Sequence, residues 1–262
     1  MDALLKNVLY ENPELYEEVY PSSDTEIPRM CLQLFAKYSN ERIRTLLDIG
    51  CGTGRHLEHF GRAGIVGVGV DYQQRMISYA LSRRPGLDFR VGDMRTFRLG
   101  RTFDAITCLG WAISNIHAND DLRRVIMTYA AHARSGTLLL VHVPNPITTY
   151  DGTGLQHHFT IDSAGFTATA EARYTFDRRN QLLVRTRTWF IAGQQPQTDF
   201  VRFRLIYPKE LEYYLTSHGF SILGMYDNTV AADSDLTGPA LYVLARFGGD
   251  PRPDRAGGHG DQ

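Results

Sequence analysis

The first half of the chain alternates between short, largely apolar runs and amphipathic segments with helical spacing. The apolar runs, which have the length of buried strands, are 44–49, 64–70, 87–91, 103–109 and 136–143. Helical segments at 73–83 and 120–134, the second capped by Asn119 or Asp120, lie between them. The run at 64–70 is apolar throughout, which is typical of a strand in a parallel sheet that is covered on both faces. The pattern therefore predicts an α/β fold with a Rossmann-like sheet.

The pattern changes after residue 147. Strand-like runs follow one another without intervening helices, which predicts an antiparallel meander, at 158–160, 165–176, 182–191 and 198–207. A last helix from Pro208 to Ser217 and a closing hairpin of 219–226 with 240–246 complete the sheet. We expect the following division: N-terminal lid helices in 1–43, a core in 44–147 and 208–247, an inserted meander in 148–207, and a disordered tail in 248–262.

The first strand ends in a glycine-rich turn. Asp48 and Ile49 are followed by Gly50, Gly52 and Gly54 at alternate positions, and an amphipathic helix begins at Arg55. Glycine allows positive φ and close approach of a ligand to the backbone, and a helix N-terminus favours anions. The turn therefore predicts a cofactor site at the first strand–helix junction. The dinucleotide fingerprint requires its third glycine where this chain has Arg55.

Composition narrows the class of function. The chain has 262 residues, a formal net charge of −1 and no apolar stretch near the roughly 20 residues that span a bilayer. A near-neutral net charge gives no sign of the basic surface that binds nucleic acid or an anionic membrane. Three widely spaced cysteines fit neither a disulfide framework nor a zinc motif, and the N-terminus does not read as a signal peptide. We expect a cytoplasmic protein without nucleic-acid or membrane partners.

Further acids follow the later strands. Asp71 ends the second strand about 20 residues beyond the glycine turn, Asp93 follows the third, and Phe103-Asp104 opens the fourth. Together with Asp48-to-Gly54, this set resembles the class I S-adenosylmethionine (SAM) methyltransferases, most closely the bacterial deoxy-amino-sugar N,N-dimethyltransferases and more loosely the glycine N-methyltransferase-like group. The resemblance implies SAM as cofactor and a methyl transfer to N or O of a small molecule in natural-product metabolism.

Candidate residues follow from these positions. Those for the cofactor are Tyr16, Asp48, Gly50, Cys51, Gly52, Gly54, Asp71, Tyr72, Met76, Asp93, Met94 and Leu109. A carboxylate at Asp71 can accept bonds from ribose hydroxyls, and the resemblance implies that Asp93 bonds the adenine amino group. Candidate catalytic residues are Tyr16 in the N-terminal lid and the histidines near strand ends, His117 and His142, although a structural role is the more common one for such histidines.

Other features allow more than one interpretation. His56 and His59 have metal-like spacing but lack a third ligand, so we expect solvated surface and no metal site. Strand alternation places five meander arginines on one sheet face, either as a solvated or dimer-facing ladder or as a clamp for an anionic substrate: Arg173, Arg185, Arg187, Arg202 and Arg204. The meander has more aromatic residues than one small sheet can bury alone, which predicts that the meander forms a homodimer interface or covers the site.

Two other functions remain open from the sequence alone. One is an NAD-dependent oxidoreductase on the same fold, and the other is a non-catalytic SAM-binding protein. Arg55 at the third-glycine position argues against the first, and turnover of an acceptor would exclude the second.

Overall fold

The computed structural model describes residues 7–21, 23–150, 152, 155–163 and 166–249, with the side chains of Ser163 and Phe166 left aside. The expectations for the first six residues and for the tail beyond residue 249 lie outside these ranges. Within them, the helices are α1 Val8–Glu11, α2 Pro13–Val19, α3 Glu26–Tyr38, α4 Arg55–Arg62, α5 Gln74–Arg83, α6 Asn119–Ala131, α7 Pro146–Tyr150 and α8 Pro208–Thr216. The strands are β1 Thr45–Ile49, β2 Val66–Asp71, β3 Asp88–Val91, β4 Phe103–Cys108, β5 Ala133–Pro144, β6 His158–Ser163, β7 Phe166–Asp177, β8 Leu182–Ile191, β9 Gln197–Arg204, β10 Phe220–Tyr226 and β11 Ala240–Phe247.

A seven-stranded, mostly parallel sheet forms the centre of the molecule. Its order is β10-β11-β5-β4-β1-β2-β3, in which β1 to β5 are parallel and β11 is antiparallel to both of its neighbours. The order reverses between β1 and β4, the point at which open α/β sheets bind ligands beyond the carboxyl ends of their strands. The predicted Rossmann-like α/β class is confirmed.

A separate four-stranded antiparallel sheet contains β6 to β9 in sequence order. Its inner face packs on the N-terminal helices in one apolar cluster, in which Leu9 and Leu15 meet Ala168 and the fully buried Trp189. Alternate residues of β8 are buried, as expected for a sheet with one covered face. The sheet and the helices α1 and α2 therefore support each other.

The structure corrects two local predictions. Helix α6 begins at Asn119, its N-cap is Ala118, and no side chain bonds the helix end, so neither Asn119 nor Asp120 is the cap. Helices α1 and α7 were not predicted, because helices of four and five residues carry little periodic signal. In the described part of the chain, no helix is long and apolar enough to cross a membrane.

Candidate active site

A cavity of about 520 Å³ opens at the carboxyl ends of β1 to β4. Gly50 after β1, Asp71 at the end of β2 and Asp93 after β3 line it, and the segment after β4 contributes several residues between Leu109 and Ala118. Helices α1 and α2 and Val201 of the antiparallel sheet also line it. The cavity therefore lies between the parallel sheet and the layer formed by the N-terminal helices and the antiparallel sheet.

The glycine turn is shaped by close contacts as well as by backbone angles. Gly50 and Gly54 have φ of 76° and 81°. A Cβ on Gly50 would come 2.4 Å from the Cβ of Ala112, and one on Gly54 would come 2.3 Å from the ring of Phe89. Larger side chains at either position would push apart the walls that converge on the turn. Gly50, Cys51 and Gly52 line the cavity, whereas Gly54 lies behind it as the N-cap of α4.

Asp71 connects the end of β2 to the glycine turn. Its Oδ2 accepts a hydrogen bond of 2.9 Å from Gly52 N–H, and its Oδ1 accepts one of 2.8 Å from Gln73 N–H. Burial raises the pKa of this carboxyl, and the Gln73 and Gly52 amides oppose the rise. Since a carboxylate can accept about four hydrogen bonds, Asp71 keeps acceptor capacity toward the cavity that it lines.

Asp48, in contrast, lies one layer behind the cavity. It is 1% exposed, and its Oδ1 accepts a 2.7 Å hydrogen bond from the hydroxyl of Thr107 on β4. Burial raises its pKa to about 6. Asp48 therefore joins β1 to β4 beneath the turn and does not line the cavity.

Asp93 lies at the end of the cavity next to β3, and the remaining predicted cofactor residues line the cavity as well. The carboxylate of Asp93 binds the guanidinium of Arg95 at 2.6 Å, and this side-chain bond lowers the pKa of Asp93. Arg95 also contacts Asp121 of α6 at 3.0 Å. The remaining predicted cofactor residues all line the cavity and are Tyr72, Met76, Met94 and Leu109. Met76 and Leu109 are buried, whereas Tyr72 is 45% exposed.

Tyr16 of α2 closes the side of the cavity above the glycine turn. A Cβ on Gly52 would lie 3.8 Å from the Tyr16 hydroxyl. The ring contacts Tyr10 and Tyr20, with centroid distances of 6.4 and 5.1 Å. Burial raises the pKa of Tyr16 far above its usual value, so its hydroxyl remains protonated and acts as a donor or acceptor of hydrogen bonds. Tyr10, which the sequence did not single out, lines the same wall.

His117 lies on the cavity wall at the end formed by the segment after β4. Its Nε2 is 3.0 Å from the carbonyl oxygen of Arg202 on β9, an atom that only accepts, so Nε2 carries the proton. Arg204 Nη1 donates to the His117 carbonyl oxygen at 2.9 Å. The antiparallel sheet therefore fixes this histidine in position.

His142 is placed differently. It is 7% exposed and does not line the cavity. Its ring stacks on Tyr242 and lies beside the indole N–H of Trp111, and burial lowers its pKa to about 3. His142 is thus a neutral ring that packs behind the segment after β4, and the predicted catalytic position is not supported by its location.

The first turn of α4 departs most from expectation. His56 was predicted to be solvated surface, but it is 7% exposed, and it lines the cavity beside Arg55. Burial holds the pKa of His56 well below its usual value.

Among the described residues, no group of three His, Cys, Asp or Glu side chains could hold a metal ion. The three cysteines are free and buried.

The meander arginines do not share one face. Pairing registers place Arg173 opposite Thr186 and Arg202 opposite Val184, so both lie on the face away from Arg185. Arg204 shares that other face. Arg185 and Arg187 are on the inner face and are buried around Asp199, which accepts a 2.9 Å bond from Arg187. The expectation of one ladder is therefore wrong, because it assumed a register that the turns do not produce.

Comparisons with known proteins agree with this architecture. Residues 46–136 match the family described as Methyltransferase domain. The chain is 38% identical over 98 residues to dTDP-4-amino-2,3,4,6-tetradeoxy-D-glucose N,N-dimethyltransferase of Saccharopolyspora spinosa. This match covers 37% of this chain and 39% of that protein. It is 31% identical over 133 residues to dTDP-3-amino-3,6-dideoxy-alpha-D-glucopyranose N,N-dimethyltransferase of Streptomyces fradiae, covering 50% and 52%. The matches thus span about half or less of these relatives.

Solved structures extend the likeness beyond the matched segment. The SAM-bound amino pentose methyltransferase CalS10 of Micromonospora echinaspora has a TM-score of 0.72 and 25% identity, with 93% of this chain and 98% of that chain covered. DesVI of Streptomyces venezuelae has a TM-score of 0.76 and 20% identity, with 92% and 99% covered. Residues 46–136 therefore match the methyltransferase domain family, and the chain has the fold of the class I SAM-dependent methyltransferases.

Proposed function

We propose that this protein is a SAM-dependent N-methyltransferase whose acceptor is the amine of a small molecule, and that the acceptor class is an amino sugar of natural-product metabolism. The observation that carries the proposal is the cavity that joins the glycine turn, Asp71 and Asp93 at the reversal point of the sheet. Relatives and structural neighbours that methylate amino sugars support the acceptor class.

The residues present fit SAM. Asp71 would accept bonds from the ribose hydroxyls, as a strand-end acid does in nucleotide-binding sheets. Met94 and Leu109 offer apolar surface for the adenine ring, and Asp93 offers acceptor oxygens beside it. The glycine turn lets a ligand approach the main chain between them. When bound, SAM supplies a methyl group on a sulfonium, which is already activated for in-line transfer.

The acceptor would enter from the side formed by the N-terminal helices and the segment after β4. Tyr10, Tyr16, Asn115 and His117 line this part of the cavity with groups that can bind an amine or a hydroxyl. Their role would be to hold the acceptor nitrogen in line with the methyl group, because positioning alone can contribute about 7–11 kcal/mol to a transfer reaction.

An amine suits this site better than a hydroxyl. A neutral amine needs no deprotonation before it attacks, whereas a hydroxyl requires a positioned base. His142 is neutral and lies outside the cavity lining. The Nε2 of His117 donates to the carbonyl oxygen of Arg202, so Nδ1 is the atom of this ring that could accept a proton. An amine acceptor does not require that step.

The test is a direct assay of transfer. Purified protein is incubated with SAM and a set of nucleotide-linked amino sugars, each paired with the analogue in which a hydroxyl replaces the amine. We expect mass increases of one and then two methyl groups on the amines only. Transfer to the hydroxyl analogues alone would refute N-methylation, and cofactor binding without turnover on any acceptor would favour a non-catalytic SAM-binding protein.

A further inference from the structure

We propose that Arg55 binds the carboxylate of the cofactor's amino-acid portion; this inference rests on the proposed function. Arg55 is the first residue of α4, directly after the glycine turn, and it lines the cavity together with Gly52 and Tyr16. It is only 7% exposed. A buried guanidinium in the wall of a ligand cavity is unusual, because buried charges are normally paired.

Only part of the hydrogen-bonding capacity of Arg55 is used within the described part of the chain. Its guanidinium is hydrogen-bonded to the hydroxyl of Tyr16, but its Nε and Nη1 are buried and find no hydrogen-bond partner there. The nearest carboxylate, that of the half-exposed Asp24, lies 3.9 Å from Nη1, too far for a hydrogen bond. The guanidinium carbon lies 5.7 Å from the centroid of the Tyr20 ring. A cation that is held this loosely and faces a cavity is positioned for an anion that is not part of the protein.

The charges around the cavity make Arg55 the counterpart of a carboxylate. Arg95, the other guanidinium in the lining, is engaged by Asp93 and Asp121. Carboxylates in the lining, such as Asp71, suit the hydroxyl and ammonium groups of a ligand rather than its acid. The N-terminus of the eight-residue α4 adds to the preference for an anion, since its N-cap Gly54 provides no side-chain bond.

The order of the strands gives the direction of the ligand. Across the sheet, Asp93 follows β3, Asp71 ends β2, and the glycine turn follows β1. A nucleoside with its ribose at Asp71 and its base toward Asp93 would extend its amino-acid portion over the glycine turn. Arg55 stands at the end of that turn, so the carboxylate would reach the guanidinium there.

The experiment compares two ligands that differ in the amino-acid portion. Calorimetric titration with S-adenosylhomocysteine and with 5′-methylthioadenosine, which lacks the carboxylate, is performed on the wild type, Arg55→Gln and Arg62→Gln. Arg62 is an exposed arginine at the other end of the same helix and serves as the matched control. We expect Arg55→Gln to bind S-adenosylhomocysteine about 10- to 100-fold more weakly, the range for a lost charge-assisted bond, and 5′-methylthioadenosine within about twofold of the wild type.

Other outcomes would overturn the proposal. Unchanged affinity of Arg55→Gln for S-adenosylhomocysteine, or an equal loss for both ligands, would show that Arg55 does not read the carboxylate. If the variant does not fold, the wild type is titrated with the carboxamide of S-adenosylhomocysteine, and binding as tight as that of the acid refutes the proposal. A wild type that binds neither nucleoside would refute the proposed function itself, whereas tight wild-type binding with an unaffected variant refutes only the role of Arg55.

Discussion

Replacing the buried carboxyl of Asp48 by an amide should change how the stability of the ligand-free protein depends on pH. Asp48 is 1% exposed, and burial raises its pKa from 3.8 to about 6, while the hydroxyl of Thr107 acts in the opposite direction. Below pH 4 the group is protonated in both the folded and the unfolded chain. Between pH 4 and 6 the unfolded chain loses this proton and the folded chain keeps it, so the free energy of unfolding falls as pH rises.

The size of the effect follows from the shift. A rise of about two pKa units corresponds to about 3 kcal/mol of stability that is present below pH 4 and lost by the time the pH passes 6. Asp48→Asn removes this titration, and its amide oxygen can still accept the 2.7 Å bond from Thr107. We therefore expect the variant to match the wild type near pH 3.5 and to be more stable at pH 8 by up to about 3 kcal/mol.

Urea unfolding of both proteins from pH 3.5 to 8 measures this difference. Asp104→Asn is the matched control at the opposite end of the sheet. Although burial acts to raise the pKa of Asp104, the amides of Arg44 and Thr45 and the guanidinium of Arg134 lower it overall. That variant should lose stability at neutral pH and approach the wild type as the pH falls. If Asp48→Asn is less stable than the wild type at pH 8, the carboxyl is not held at a raised pKa and the reasoning fails.

The remaining predictions concern the site and the antiparallel sheet. Asp71→Ala should weaken SAM binding by about 1.5–3 kcal/mol, and unchanged calorimetric affinity would remove the cofactor role from this residue. With an amine acceptor, His117→Ala should lower kcat much less than the 10²-fold or more expected for loss of a base. Tyr16→Phe should lower kcat more than His117→Ala does, through misalignment of the acceptor. Measuring kcat of both variants decides between catalysis by positioning and catalysis by a base. Asp199→Ala leaves two buried guanidiniums without their carboxylate and should cost about 3–5 kcal/mol of unfolding free energy, whereas Glu171→Ala, at an exposed position of β7, should change it by less than about 0.5 kcal/mol. Light scattering should find a homodimer, and a monomer would leave the antiparallel sheet only the role of a roof.

The parallel half of the fold could be predicted because its signal is local. Most strands from β1 to β5 lie in largely apolar runs, and the turn after β1 carries glycines at positions where the structure has positive φ. Such features depend on neighbouring residues in the chain. The acids at 71 and 93 were found for the same reason, since their positions follow directly from the strand ends.

The parts that could not be predicted depend on contacts between distant segments. Arg185 and Arg202 lie on opposite faces because of the register between β8 and β9, and the alternation within one strand says nothing about that register. Tyr10 reaches the cavity on a four-residue helix that is held by packing against the antiparallel sheet. His56 is 7% exposed and lines the cavity, which an amphipathic pattern of eight residues does not reveal.

Arg55 in the cavity wall and Asp48 one layer behind it connect the stability of the protein to ligand binding. Asp48 is a carboxyl whose ionisation opposes folding of the ligand-free chain, and Arg55 is a buried guanidinium with unused donors. Neither is explained by stability, because an isolated buried charge is costly. Both costs fall when a ligand with separated positive and negative groups enters the cavity, since a cation favours ionised Asp48 and a carboxylate satisfies Arg55. Binding and folding are thus linked at this site, and a saturating cofactor should reduce the stability gained in Asp48→Asn at pH 8. Repeating the urea series with SAM and with S-adenosylhomocysteine, which keeps the ammonium but has no sulfonium charge, measures the contribution of the sulfonium: SAM should reduce the gain more than S-adenosylhomocysteine does.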